Sequence, residues 1–239
     1  MIRTHSEGAF ANQAADFLTA HLQENSRSVL ALTTGATHLA LYKVLIRRAA
    51  LAPSCLAEAR IFNLDEYCGV PPEHPGSFSA FLHRHLIEPL GLDLRRVRLL
   101  DGVAADFALE CADYERAIGA AGGIDVCVLG LGENGHIAFN EPGSPWDLRT
   151  HVAELSPRTR ARLERQGWEP RRIPTHGITL GIENVLDAQQ VLLLIAGAGK
   201  LGAAAALYRG AEDAAWPVTC LLRHERATVI ELCARSELP

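Results

Sequence analysis

The chain has 239 residues, 48% apolar and 21% charged, with a formal charge of −5 at pH 7. That supplies a sizeable core within the span of one large α/β domain, 1–239, while the acidic balance and scattered Lys and Arg argue against a nucleic-acid surface. No apolar run approaches the roughly 18 residues of a membrane span, and Met1-Ile2-Arg3-Thr4-His5-Ser6-Glu7 lacks the apolar core of a signal peptide.

Residues 28–33 (SVLALT) read as a buried strand, followed by a turn at Thr34-Gly35 and a helix over 36–50. Residues 59–64 (ARIFNL) form a second strand. The stretch 77–90 is helical, with Gly91 placed to stop it, and 97–100 is a short strand. A helix over 105–121 ends at Gly122-Gly123. Residues 124–129 (IDVCVL) are the clearest strand: short, β-branched and apolar on both faces, as in a parallel sheet covered on both sides. Further strands follow at 176–180, 191–196 and 227–232, with a helix over 200–208. This alternation predicts an α/β fold with a doubly wound, mostly parallel open sheet and helices on both faces, Rossmann-like in kind. Ligands of such sheets bind beyond the carboxyl ends of the strands.

Cysteine chemistry adds nothing to that frame. Cys55, Cys68, Cys111, Cys127, Cys220 and Cys233 contain no C-x-x-C pair and read as reduced, mostly buried small hydrophobes, which points to the cytosol. No His pair forms a metal-ligand motif, so no metal is expected.

Three loops at strand ends carry unusual polar content. Thr33-Thr34-Gly35-Ala36-Thr37 offers backbone N–H groups and hydroxyls at a helix start, where an anion is favoured; a plain helix cap is the alternative. Asn63-Leu64-Asp65-Glu66-Tyr67 places two adjacent carboxylates after a buried strand. Neighbours along an extended chain point oppositely, so at most one faces the cleft, where partial desolvation would make it a general base. The third loop, Gly130-Leu131-Gly132-Glu133-Asn134-Gly135-His136-Ile137-Ala138-Phe139-Asn140-Glu141-Pro142, combines three glycines with a His and a carboxylate able to hold its tautomer. Its G-x-G-x-x-G is followed by the breaker Asn140-Glu141-Pro142-Gly143 rather than a helix, so neither a dinucleotide site nor any other cofactor is expected.

Together these loops resemble the hexosamine-6-phosphate deaminases. The resemblance rests on LTTGATHLALYK (32–43), FNLDEYCGV (62–70), GGIDVCVLGLGENGHIAFNEP (122–142), TLGIENVLDA (179–188) and 197–210. It implies a deaminase-type fold and conversion of glucosamine 6-phosphate and water into fructose 6-phosphate and ammonia, a hydrolysis joined to an aldose–ketose isomerisation. Asp65 then matches the base that moves the C2 proton. His136 matches the group that assists ring opening, with Glu141 as its partner and Asn134 as a neutral orienting group where some members carry aspartate. Thr34, Gly35, Ala36 and Thr37 match the phosphate loop and Lys200 a phosphate lysine. Arg165 matches a phosphate arginine by spacing only, with Arg160 and Arg162 as alternatives.

The chain departs from the pattern at Ala36, where Gly is common, and at His38, where Pro is common. At the positions that supply effector-binding cations in regulated members it has His151 and Ala153, which implies no allosteric phosphate site and a monomer or small homo-oligomer. The competing readings are a galactosamine-6-phosphate deaminase, a 6-phosphogluconolactonase, which usually carries Arg rather than Tyr67 after Asp-Glu, and a non-catalytic sugar-phosphate sensor.

Overall fold

The computed structural model describes residues 1–51 and 56–233, so Cys55 lies outside the described residues. The elements run β1 (Ile2–Thr4), α1 (Glu7–Glu24), β2 (Val29–Leu32), α2 (Ala36–Ala49), β3 (Arg60–Asn63), β4 (Asp65–Tyr67) and α3 (Phe78–Leu82). A π-helical turn (His83–Ile87) joins α3 to α4 (Glu88–Leu90). There follow β5 (Val97–Arg98), α5 (Phe107–Ala121), β6 (Val126–Gly130), β7 (His151–Glu154), α6 (Pro157–Arg165), β8 (His176–Thr179), α7 (Ile182–Asp187), β9 (Gln190–Ala196), α8 (Leu201–Tyr208) and β10 (Ala227–Leu232).

Seven strands form a parallel sheet in the order β1-β10-β9-β6-β2-β3-β5. Strand side chains alternate between its faces. Leu30, Leu32, Val126 and Val128 pack with α1 and α2 on one side, while Val29, Ala31, Cys127 and Leu129 pack with α5, α7 and α8 on the other. This two-sided burial is why strands such as β6 are continuously apolar.

The sheet is built outward from β2. Its neighbour on one side is β3, next in the chain, and on the other β6, which arrives almost a hundred residues later. The order reverses between β2 and β6, leaving a crevice above their carboxyl ends. Both the 33–37 loop and the 130–136 loop emerge there.

Four features were absent from the sequence reading. Helix α1 is capped by Ser6, whose side chain accepts from the Ala9 N–H, and buries Phe10, Ala14, Leu18 and Leu22 at four-residue spacing. Strand β1 extends the sheet beside β10, and helix α6 follows the Ser156 cap. The segment read as a loop after β3 is strand β4, which pairs antiparallel with β8, and β8 with β7, in a separate three-stranded sheet. The expected strand at 176–180 therefore belongs to this small sheet, not the main one. Tyr67, Phe139, Leu155 and Leu163 bury themselves as a third cluster beside it.

Candidate active site

A cleft of about 510 Å³ opens at the crevice between β2 and β6. One wall is the 33–37 loop, one the Asp65–Tyr67 strand, one the 130–138 loop; α6 and Lys200 complete it.

Asp65 owes its position to Asn63. The buried Asn63 side chain donates to the Asp65 carbonyl (2.8 Å) and accepts from the Leu100 N–H (2.8 Å), while the Tyr114 hydroxyl accepts from the Asn63 N–H (3.0 Å). This clamp turns the chain out of the main sheet and into β4. The Asp65 carboxyl lines the cleft yet is almost fully buried, with no hydrogen-bond donor to its carboxylate among the described residues. Burial raises its pKa to about 8, the nearby Glu66 adds to the rise, and Arg162 opposes it. A carboxyl poised there takes up and releases protons near neutrality.

Glu66 points the other way. Its carboxylate accepts from the Tyr67, Phe78 and Ser79 N–H groups (2.9, 3.0 and 2.7 Å), which caps α3. Burial raises its pKa and those bonds oppose the rise. It holds structure, leaving Asp65 as the carboxyl that faces the cleft.

The His136 loop is shaped by its glycines and by Asn140, whose side chain donates to the Ile137 and Leu180 carbonyls (3.0 and 2.9 Å). A Cβ at Gly132 would overlap the His136 ring, so only Gly lets the ring lie there. His136 Nδ1 lies 2.7 Å from Asn134 Oδ1, and Asn134 Nδ2 donates to Glu141 Oε2 (2.7 Å). Since the amide nitrogen is committed to Glu141, its oxygen must accept, which fixes the proton on Nδ1 and leaves Nε2 with its lone pair. Glu141 Oε2 is 3.7 Å from Nδ1, and Thr159 on α6 donates to Glu141 Oε1 (3.3 Å). Burial lowers the His136 pKa; Glu141 raises it, while Lys200 and Arg162 lower it further. The ring is accordingly a neutral base.

The cleft also holds cations. Lys200, at the end of a 3-10 turn before α8, has its pKa lowered by burial and by Arg162 and Arg158. Arg158 is paired with Glu133, whereas Lys200 and Arg162 have no carboxylate at ion-pair distance among the described residues. The 33–37 loop lines the same cleft. The left-handed position falls on Gly35 (φ 110°), the N-cap of α2, whereas Ala36 begins the helix itself. The departure from Gly at position 36 therefore costs no backbone strain.

The structure corrects one assignment. Arg165 lies outside the cleft wall, whereas Arg162 lines it together with Leu163 and Gln166. At 3.6 residues per turn those three span about 100° of helix face, and Arg165 is turned roughly 100° from their centre. Arg162 stands near enough to Asp65, Tyr67, His136 and Lys200 for its charge to bear on all four. Arg160 does not line the cleft either.

Sequence reasoning missed Tyr67 and Trp168, both in the cleft wall, and Thr159 behind Glu141. Tyr67 sits next to the paired carboxylates and so carried a signal. Trp168 carried none: it follows the Gly167 turn after α6, where its N–H bonds the Leu163 carbonyl (3.2 Å) and its indole packs at a tilt against His74 (centroids 4.6 Å apart).

Residues 4–230 match the family model described as glucosamine-6-phosphate isomerases/6-phosphogluconolactonase. The chain belongs to this family. It is 35% identical over 229 residues to the glucosamine-6-phosphate deaminase of Lysinibacillus sphaericus, covering 96% of each chain. It is 39% identical over 217 residues to that of Streptomyces coelicolor, covering 90% of this chain and 83% of the relative. Among solved structures it resembles a monomeric glucosamine-6-phosphate deaminase (TM-score 0.92, 30% identity, 96% of this chain and 95% of that one). A 6-phosphogluconolactonase from Thermotoga maritima shares the fold at 20% identity (TM-score 0.76, 97% and 98% covered). Within the family, the GHIAFNEP run and the Asp65-Glu66-Tyr67 strand thus frame one cleft.

Proposed function

We propose that this protein converts glucosamine 6-phosphate and water into fructose 6-phosphate and ammonia, through an open-chain enol(amine). The observation that carries this reading is what one cleft brings together. A buried carboxyl near pKa 8, a neutral imidazole, the cations Lys200 and Arg162 and a helix-start loop all line it.

In this reading the phosphate binds the Thr34, Gly35, Ala36 and Thr37 loop, Lys200 and Arg162, and its binding energy positions the sugar. His136 Nε2 takes the O1 proton of the pyranose and delivers it to O5, opening the ring to the aldehyde. Asp65 then removes the C2 proton while the substrate's C2 ammonium gives a proton to O1, forming the enolamine, and Asp65 returns its proton at C1. The iminium left at C2 reacts with water: a C–O bond forms, the C–N bond breaks, and ammonia and a proton depart from the ketone. The overall change is a hydrolysis coupled to an isomerisation, and no step calls for an exchange of electrons with a cofactor. Asn134 and Glu141 keep the imidazole oriented and neutral. The same proposal includes a cytoplasmic location and a monomer or small homo-oligomer. The monomeric relative and the lack, among the described residues, of any helix long and apolar enough to cross a membrane support it.

The test is ammonia release from glucosamine 6-phosphate and galactosamine 6-phosphate side by side, with 6-phosphogluconolactone hydrolysis as a control. Turnover of the first substrate is expected to dominate. Faster turnover of the galactosamine epimer, or lactone hydrolysis alone, would replace the proposal with the corresponding rival.

A further inference from the structure

Two side chains of α2, neither assigned a role above, hold successive carbonyls of the 33–37 loop. The Tyr42 hydroxyl donates to the Thr33 carbonyl (2.6 Å), and His38 Nδ1 donates to the Thr34 carbonyl (3.1 Å). Both residues are buried, Tyr42 completely and His38 to within 2% exposure. Burial pushes the His38 pKa down to about 4 and the Tyr42 pKa far up, so both remain neutral donors across the working range. Among the described residues His38 Nε2 makes no hydrogen bond, although the Leu129 backbone also bears on the ring, so the Nδ1 bond is its polar anchor. The ring also rests on the neighbouring loop: a Cβ at Gly130 would come within 2.8 Å of His38 Cε1.

A trans peptide sets its N–H opposite its carbonyl. Holding the Thr33 and Thr34 carbonyls toward α2 therefore turns the N–H groups of Thr34 and Gly35 away from it. Neither N–H has a hydrogen-bond partner among the described residues, and both residues line the cleft. Their orientation is set before any ligand arrives.

We propose that His38 and Tyr42 are positioning residues that aim the Thr34 and Gly35 amides at the substrate's phosphate group, without touching the substrate themselves. The inference rests on the phosphate-loop reading given above. It predicts a defect confined to phosphate binding, because the amides act on a group remote from the reacting carbons and bind ground state and transition state alike.

The experiment measures KM for glucosamine 6-phosphate, kcat, and competitive inhibition by inorganic phosphate in His38→Leu, His38→Asn and Tyr42→Phe, beside Lys200→Ala. His38→Leu and Tyr42→Phe are expected to raise KM and the phosphate inhibition constant together, on the order of tenfold, with kcat nearly unchanged. His38→Asn should restore both values, since its Nδ2 can occupy the place of the imidazole Nδ1. Tyr42→Phe removes a single oxygen and decides the matter if His38→Leu fails to fold. Wild-type phosphate affinity in the folded variants, or a fall in kcat with phosphate affinity unchanged, would overturn the inference. If Lys200→Ala alone weakens phosphate, only the positioning role fails. If Lys200→Ala also leaves phosphate inhibition untouched, the phosphate-site reading itself fails.

Discussion

At the scale of single residues, two adjacent carboxylates with different neighbours acquire different tasks. Glu66 is saturated by three backbone N–H groups, whereas Asp65 meets no donor and stays protonated up to a pKa of about 8. Asp65→Asn is expected to lower kcat by on the order of 10²–10⁴-fold and to stop exchange of the C2 proton with solvent, read by mass spectrometry in heavy water. In the native enzyme kcat/KM should rise with pH through an apparent pKa near 8. The same raised pKa has a stability consequence. The unfolded chain releases this proton near pH 4 and the folded one near pH 8, so the folded state holds more protons in between and loses stability as pH rises through that window. Asp65→Asn should therefore raise Tm at pH 8 relative to the native protein, with little effect at pH 3. His136 offers a complementary test. Asn134→Asp would set a carboxylate where the neutral amide now accepts from Nδ1, and should lift the imidazole's titration midpoint by about 1–3 pH units in nitrogen-15 NMR. An unchanged midpoint would mean that Asn134 does not set the ring's protonation.

Whole elements decide which side chains share the cleft. Helix α6 presents Arg162, Leu163 and Gln166 as one stripe, so Arg162→Gln should raise KM for the phosphorylated sugar by on the order of tenfold or more, while Arg165→Ala should not. The reverse result would restore the assignment made by spacing. Spacing alone left the choice among the three arginines open because α6 was not legible as a helix: RLERQGW carries Gly167 and only one strong apolar anchor, Leu163. The parallel sheet was legible because burial on both faces writes continuous apolar runs into β2, β6 and β9. The three-stranded sheet was not, because β4, β7 and β8 are only three or four residues long and the pairing of β4 with β8 joins segments over a hundred residues apart. Helix α1 escaped notice although Ser6 and the Phe10, Ala14, Leu18, Leu22 spacing were present, since the alanines in its buried face dilute the period. Asp65, Asn134, His136 and Glu141 stand out in the sequence as polar residues in loops after strong strands, and the structure brings Asp65 and His136 to one cleft with Asn134 and Glu141 behind the imidazole. Tyr42 was invisible as anything but core, because its role depends on where a loop carbonyl points.

At the scale of the molecule, regulation should be absent. His151 and Ala153 lie on β7, an edge strand of the small sheet, and His151 Nδ1 bonds the Arg149 carbonyl (2.8 Å). Arg149 is itself engaged with Glu115, Glu183 and Asp187, leaving no spare cation there to compensate a second phosphate's lost hydration. Rate curves are expected to be hyperbolic and unchanged by N-acetylglucosamine 6-phosphate; sigmoidal curves that this compound straightens would refute that. The reversal of strand order at β2 and β6 bears on how the site comes into being. Its two main loops hang from strands that pair Leu30 with Val126 and Ala31 with Cys127, at the centre of the sheet. Forms of the chain in which β2 and β6 have not yet paired therefore lack the cleft. A sugar phosphate can then recognise only the finished protein, and its presence should lift the melting temperature in proportion to the logarithm of its concentration above the dissociation constant.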